Sequence, residues 1–269
     1  MPKFLAAAIQ LNSQPDLERN MQEIYRLVKR AAEEGAAFIG LPENFAFMGN
    51  EKERLKQAKT LSASVESRLP VWAKEFGVTL LGGGYPVPAG EGKVFNRSRL
   101  ITPDGKTAAV YDKIHLFDVE LSAEETYRES DMVEGGRDVV SCFSVALGVR
   151  IGLSICYDVR FPELYRKLAE QGSGLLCVPA AFTRPTGKAH WEVLLRARAI
   201  ENSSFMIAPA QTGKHGDKRE TYGHSLIIDP WGTVLADAGT EPGVAIAEID
   251  TSALAEVRRK LPSLSHRIL

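Results

Sequence analysis

The stretch from Val149 to Glu163 constrains the fold more than any other part of the chain. Val149 to Ile155 is an apolar run of β-branched and aliphatic residues with little polar interruption, the pattern of a strand buried on both faces. A helical segment starts near Phe161, where Pro162 suits a first turn and Glu163 meets the positive end of the helix. Cys156 therefore falls at the hinge between strand and helix. Backbone N–H groups gathered at such a turn favour an anion, which predicts a lowered thiol pKa and a ready oxyanion site. The same cysteine can be read as a small buried hydrophobe, the common fate of a free cysteine.

The rest of the chain alternates in the same way. Phe4 to Ile9 reads as a strand. Asp16 caps a helix whose apolar positions Ile24, Leu27, Val28 and Ala31 share a face, and Gly35 ends it. Ala37 to Leu41 is a second strand, followed by Pro42-Glu43-Asn44-Phe45 at the end where ligands collect in open α/β sheets. Glu43 is either a working carboxylate there or a solvated loop residue. A helix over Ser64 to Phe76 precedes the strand Val78 to Gly84, whose glycines lack the order of a dinucleotide fingerprint. Val94 to Ile101 and Thr107 to Tyr111 form a hairpin around Pro103-Asp104-Gly105. Lys113 comes next, among neighbours that suit a desolvated ammonium or a plain strand-end lysine. The acidic stretch to Glu134 reads as a loop.

Val139 to Val145 precedes the Val149 strand, and Phe161 to Gln171 is the helix after Cys156. Leu175 to Val178 is a buried strand with Cys177 in the core. Gly187 to Asn202 is a helix whose Arg196, Arg198 and Glu201 suit packing or subunit ion pairs. Phe205 to Ala210 is a strand, and Gln211 to Thr221 a polar, basic loop. Leu226 to Ile228 and Thr233 to Leu235 flank the turn Asp229-Pro230-Trp231-Gly232. Val244 to Ile249 and the helix Thr251 to Lys260 complete the order. Hairpins enter from the centre onward, which fits two mixed sheets flanked by helices better than a Rossmann fold or a (β/α) barrel. Residues 1–269 form one domain on this reading.

Composition narrows the function class. The chain is 44% hydrophobic and 25% charged with a formal net charge of -1, so overall charge suggests neither a nucleic-acid nor a membrane partner. No apolar run approaches the ~20 residues that span a bilayer, and the apolar part of the first ten residues is too short for a signal peptide. Cys142, Cys156 and Cys177 are too few for a disulfide framework and lack zinc-motif spacing, which points to a reducing, cytoplasmic setting.

Glu43, Lys113 and Cys156 each follow a predicted strand, and would meet at one sheet edge if those strands were neighbours. A carboxylate can take the thiol proton and later activate water, while a lysine and the Tyr157 N–H can hold an oxyanion. That is an acyl-transfer apparatus without histidine. The segments Leu-Pro-Glu43-Asn, Tyr-Asp-Lys113-Ile-His-Leu-Phe-Asp and Ser-Ile-Cys156-Tyr-Asp-Val-Arg-Phe-Pro-Glu resemble, in order, the three signature segments of the nitrilase, or carbon–nitrogen hydrolase, superfamily. The resemblance runs from Ala6 to about His266. It implies a four-layer α-β-β-α sandwich, dimers or higher homo-oligomers, a Glu43-Lys113-Cys156 triad, and no metal or organic cofactor. The family's second active-site glutamate best matches Glu129, with Glu124 and Glu125 as competitors.

Within the superfamily, Gly187 to Glu201 is similar to the amidases that act on small 2-oxo acid amides. That branch includes omega-amidases, which cleave 2-oxoglutaramate or 2-oxosuccinamate, and amidases that release cysteinylglycine from deaminated glutathione. Ala210 to Ser225 is more similar to the second group. Lys188 stands where the branch usually has proline, which alters charge near the pocket rim. A 2-oxo acid needs a cationic or N–H-rich recess, for which Arg184, Lys188 and the Lys214–Arg219 loop are candidates. Phe45, Phe117 and Phe182 are candidate pocket walls. True nitrilase activity, a non-enzymatic scaffold role and a papain-like Cys–His enzyme fit the motifs less well.

Overall fold

A computed structural model describes residues 3–90, 92–120, 126–216 and 219–268. In chain order the first half contains β1 (Lys3–Gln10), α1 (Leu17–Glu33), β2 (Ala36–Gly40), α2 (Glu51–Phe76), β3 (Thr79–Gly90), β4 (Lys93–Ile101) and β5 (Thr107–Asp112). A small hairpin follows, β6 (Asp118–Glu120) and β7 (Thr126–Arg128). The second half contains β8 (Ser141–Ser144), β9 (Val149–Leu153), α3 (Pro162–Glu170), β10 (Leu175–Cys177), α4 (Arg184–Asn202) and β11 (Phe205–Ala208). It ends with β12 (Thr212–His215), β13 (Arg219–Tyr222), β14 (Leu226–Ile228), β15 (Val234–Asp237), β16 (Gly243–Asp250) and α5 (Ser252–Lys260).

Two six-stranded sheets result, ordered β16-β1-β2-β3-β4-β5 and β15-β14-β11-β10-β9-β8. Each has a parallel centre, β1-β2-β3 in one and β9-β10-β11 in the other, with antiparallel strands outside. The period-2 alternation of β1 shows why they stack. Ala6 and Ala8 are buried in one cluster with Phe38, Leu81 and Leu100 of the first sheet and Ile151, Leu153, Ile207 and Ile227 of the second. Ala7 and Ile9 point the other way, into a cluster with Ile24, Leu27 and Val28 of α1 and Val65, Leu69 and Trp72 of α2. Leu164 and Leu168 of α3 and Trp191 and Leu195 of α4 cover the far face of the second sheet. Each such fully buried aliphatic side chain stabilises the stack by about 1.5–3 kcal/mol. The expected four-layer α-β-β-α order is the observed one.

Three local expectations are corrected. The helix expected from Ser64 begins at Glu51, where the Asn50 side chain caps it by accepting from the N–H groups of Lys52 and Glu53. The polar run at 51–60 hides that first half from a hydrophobic-period reading. The acidic stretch before Glu134 contains the β6–β7 hairpin, and the basic loop over 211–221 is largely the β12–β13 hairpin. Both are strands of three or four residues, too short to show a period.

His215 fastens the β12–β13 hairpin to the loop after β1. Its ring nitrogens lie 2.7 Å from the Ser13 carbonyl and 2.6 Å from Thr221 Oγ1. Burial holds its pKa down at about 4 from an ordinary 6.5, so the folded protein keeps it neutral where the unfolded chain would protonate it. A lowered folded pKa means stability that is present above pH 6.5 and drains away toward pH 4. Between pH 7 and pH 5 this single group should withdraw about 2 kcal/mol of unfolding free energy. Urea unfolding of wild type and His215→Gln at the two pH values should show that increment in wild type alone; equal slopes would refute it.

Candidate active site

Glu43 sits just past the C-terminal end of β2 in a turn that only a glycine-rich neighbour can accommodate. Asn44 adopts a left-handed φ of 57°, and its N–H donates to the Gly84 carbonyl at 2.7 Å. A Cβ on Gly83 would lie 2.1 Å from the Pro42 oxygen, and one on Gly84 2.3 Å from Asn96 Oδ1. The Gly82-Gly83-Gly84 run, which carries no nucleotide fingerprint, is therefore the space into which Glu43 and Asn96 fit.

Lys113 follows β5, which runs in the same direction as β2 and so ends at the same sheet edge. Its Nζ donates to Glu43 Oε1 at 2.9 Å and to Glu129 Oε2 at 2.9 Å. Glu129, in a 3₁₀ turn after β7, accepts a third bond from the Phe117 N–H at 2.7 Å. Burial opposes charge on both partners, but each carboxylate supports the ammonium, and the Lys113 pKa is raised above its ordinary value. Burial pushes Glu129 up, and the Lys113 charge and hydrogen bonds outweigh it and hold the carboxyl below the usual range. Asn96 Nδ2 donates to Glu43 Oε1 at 2.8 Å and reaches Glu129 Oε1 at 3.3 Å, so both carboxylates are fixed from two sides. Glu124 and Glu125 lie outside the described residues.

Cys156 comes from the other sheet. It follows β9 and opens a five-residue 3₁₀ turn, Cys156–Arg160, with a left-handed φ of 48°. Such a backbone costs about 1–2 kcal/mol for a residue with a Cβ and persists only where surroundings enforce it. Here the Cys156 N–H donates to the Pro179 carbonyl at 2.9 Å. Asp158, wholly buried, accepts from the Ile155 N–H, the Tyr111 hydroxyl and the His115 N–H at 2.8, 2.6 and 3.0 Å. The His115 ring stacks on Phe161 at 3.7 Å and places Nδ1 2.7 Å from Asp158 Oδ1. Asp158 thus ties the cysteine turn to the lysine loop across the junction of the two sheets.

The expected lowering of the thiol pKa is corrected. Helix α3 starts only at Pro162, so Cys156 is not at an α-helix N-terminus. Burial and the Glu43 charge push the thiol well above its ordinary pKa, against the opposing pull of Lys113 and the Ala181 N–H. That direction favours the protonated thiol, with the Glu43 carboxylate beside it. The idea of a single shared edge is also revised: Glu43 and Lys113 come from one sheet, Cys156 from its partner, at matching ends of the stack.

Glu43, Lys113, Glu129, Cys156 and Tyr157 line one cavity, open to solvent, together with Phe117 and Phe182. Phe117 packs between Tyr127 and Tyr157 at 5.2 and 5.1 Å, and Phe182 lies against Trp191 at 4.7 Å. Three sequence candidates fall elsewhere. Phe45 is wholly buried against Tyr85 beneath the helices of the first sheet. Arg184 and Lys188 are exposed outside the cavity, and Arg184 pairs with Glu220 at 2.8 Å. Their helix turns Thr183 and Thr186 toward the cavity instead. Asn96 and Arg54 were missed. Asn96 had a signal, since the period of β4 puts it on the inward face with Val94 and Leu100. Among the described residues no cluster of three His, Cys, Asp or Glu side chains has the arrangement of a metal site.

A carboxylate, an ammonium and a thiol converging on an aromatic-walled recess can perform cysteine-based acyl transfer. The pattern of the Carbon-nitrogen hydrolase family matches residues 5–259. The chain is 53% identical over 270 residues to the deaminated glutathione amidase of Synechocystis sp. (strain PCC 6803 / GT-S), with 100% of this chain and 99% of that protein covered. Its fold superimposes on the Caenorhabditis elegans NitFhit protein with a TM-score of 0.93 and 39% identity, covering 99% of this chain but only 65% of that longer one. Saccharomyces cerevisiae Nit3, a member of branch 10 of the nitrilase superfamily, gives a TM-score of 0.85 at 28% identity, covering 97% of this chain and 94% of that one. With its sequence pattern, its paired sheets and this recess all in agreement, the chain belongs to the carbon–nitrogen hydrolase family.

Proposed function

We propose that this chain is an amidase that hydrolyses deaminated glutathione to 2-oxoglutarate and cysteinylglycine through a thioester on Cys156. The observation that carries the reading is the buried Lys113 held between Glu43 and Glu129 beside the Cys156 thiol; end-to-end similarity to the Synechocystis amidase supplies the substrate. As the sulfur attacks the amide carbon, Glu43 takes the thiol proton. Lys113 Nζ and the Tyr157 N–H hold the oxyanion that forms on the carbonyl oxygen. Collapse expels cysteinylglycine as Glu43 passes its proton to the leaving nitrogen, and a thioester remains. Glu43 then takes a proton from water, which attacks the thioester, and the proton returns to the sulfur as 2-oxoglutarate departs. Glu129 keeps Lys113 cationic and in place throughout.

The same reading makes residues 1–269 one catalytic unit working as a homodimer or higher oligomer. Val193 and Ile200, seven residues apart on one face of α4, are exposed, as is Trp231, whose chain neighbour Gly232 lies against Ile200, and these apolar side chains suit a second copy. Three free thiols fit a cytoplasmic setting; among the described residues no helix is long and apolar enough to cross a membrane. The specificity constants of purified protein for deaminated glutathione and 2-oxoglutaramate test the substrate. A preference of at least about tenfold for deaminated glutathione, ~1.4 kcal/mol of transition-state discrimination, is expected. The reverse preference would make the chain an omega-amidase.

A further inference from the structure

The cavity holds a second charged group that the reacting atoms do not use. Arg54, in the first turn of α2, is only 5% exposed. Its Nε and Nη2 both reach Glu51 Oε2 at 2.8 Å, while its Nη1 is buried without an acceptor. Arg219, on β13, donates from Nη1 to the other Glu51 oxygen at 3.3 Å, and its buried Nε has no acceptor either. Its guanidinium lies over the Tyr127 ring, 5.8 Å from the centroid. Both arginines and Glu51 line the cavity that contains Cys156.

Charge and hydrogen-bond accounting at this end of the cavity leave one vacancy of definite chemistry. Lys113 is already matched by Glu43 and Glu129. Arg54 and Arg219 share the single carboxylate of Glu51, a local excess of one positive charge beside the Glu43–Lys113–Glu129 group, whose two carboxylates exceed its one ammonium by one. Guanidinium N–H groups shut away from water without acceptors are disfavoured unless a ligand supplies one, and the planar fork of arginine is matched by a carboxylate.

We propose that Arg54 and Arg219, spaced by Glu51, bind the carboxylate of the 2-oxo acid half of the substrate. This rests on the amidase reading above and fixes which end of the substrate lies where. The acyl half is anchored at the α2–β13 side, the amide carbon reaches Cys156, and cysteinylglycine points away. Glu51 is a positioning residue that holds the two guanidinium groups toward one ligand.

The test compares deaminated glutathione with 4-oxopentanoyl-cysteinylglycine, which keeps the ketone and the amide but replaces the terminal carboxylate by a methyl group. The ratio of their specificity constants should fall about 30-fold or more in Arg54→Met, the loss expected for charge-assisted hydrogen bonds in a buried site. Arg219→Gln, at the more exposed residue, should lower the ratio about fivefold and guards against a folding defect in the first variant. Calorimetric titration with 2-oxoglutarate gives a readout independent of turnover, and Arg54→Met should weaken its binding at least about tenfold. If wild type hydrolyses neither compound yet binds 2-oxoglutarate through Arg54, the carboxylate site stands and the reaction assigned above falls. If the ratio and the 2-oxoglutarate affinity survive both substitutions, the site is overturned and the reaction stands. No binding of 2-oxoglutarate to wild type, or a loss confined to cysteinylglycine binding, would overturn it equally.

Discussion

Cys156→Ala is expected to lower the specificity constant for deaminated glutathione by at least about 10⁴-fold while leaving the protein folded. No other thiol can take over, because Cys177 is sealed in the core and Cys142 lies on the edge strand β8. The sulfur forms part of an open cavity wall, so its removal leaves no closed void, and unfolding free energy should change by about 1 kcal/mol or less. Turnover assays alongside urea unfolding separate the two effects. A variant that keeps even a tenth of the activity would show that the nucleophile lies elsewhere.

Lys113→Met is expected to damage both chemistry and fold. It removes the cation proposed for the oxyanion, worth about 10²–10³ in kcat. It also leaves Glu43 and Glu129 facing each other in a buried site, since both bind the same ammonium at 2.9 Å. Removing one partner of such a group costs about 3–5 kcal/mol. The pH dependence gives the sharper signature. In wild type the Glu129 pKa is lowered, so its contribution is present above the ordinary carboxylate value near 4.5 and is lost as pH falls through the folded value. Without the lysine, burial is opposed only by the Phe117 N–H and the Arg54 charge, so the Glu129 pKa moves up, and the variant is penalised most at neutral pH and recovers as Glu129 protonates. Urea unfolding at pH 7.5 and pH 5 should find the gap from wild type narrowing at the lower pH. A gap that stays constant would mean the lysine is not what keeps Glu129 ionised.

How much of this was readable in advance depended on the kind of signal. Continuous apolar runs located the central strands β1, β2, β9 and β10 to within a residue or two, because burial on both faces leaves only aliphatic side chains. The Cys156 turn was visible because a buried strand ended at a residue six positions before Pro162. Which sheet each strand joined was not fully readable, since β16 pairs with β1 from across the chain and nothing local announces it. The direction of the thiol's pKa shift was misjudged because its causes, burial first and then the charge of Glu43, come from parts of the chain far away in sequence. Arg54 was hidden in a polar stretch whose cap, Asn50 before Glu51, was the available clue. Arg184 and Lys188 looked like pocket cations because they flank the right motif, and it is the pitch of α4 that turns them out to solvent.

The pairing of β1 with β16 places residue 3 opposite residue 250. A ribosome that adds about 5–20 residues per second needs roughly 12 to 50 seconds to make the segment between them. For that interval the nascent chain carries β1 with one hydrogen-bonding edge bare, an alanine-rich template open to other chains. Closing so long a loop costs entropy before the distant contacts can offset it. β16, synthesised long after β1, is thus the strand that caps it, and a chain truncated before residue 243 would leave the ribosome with that edge exposed for good.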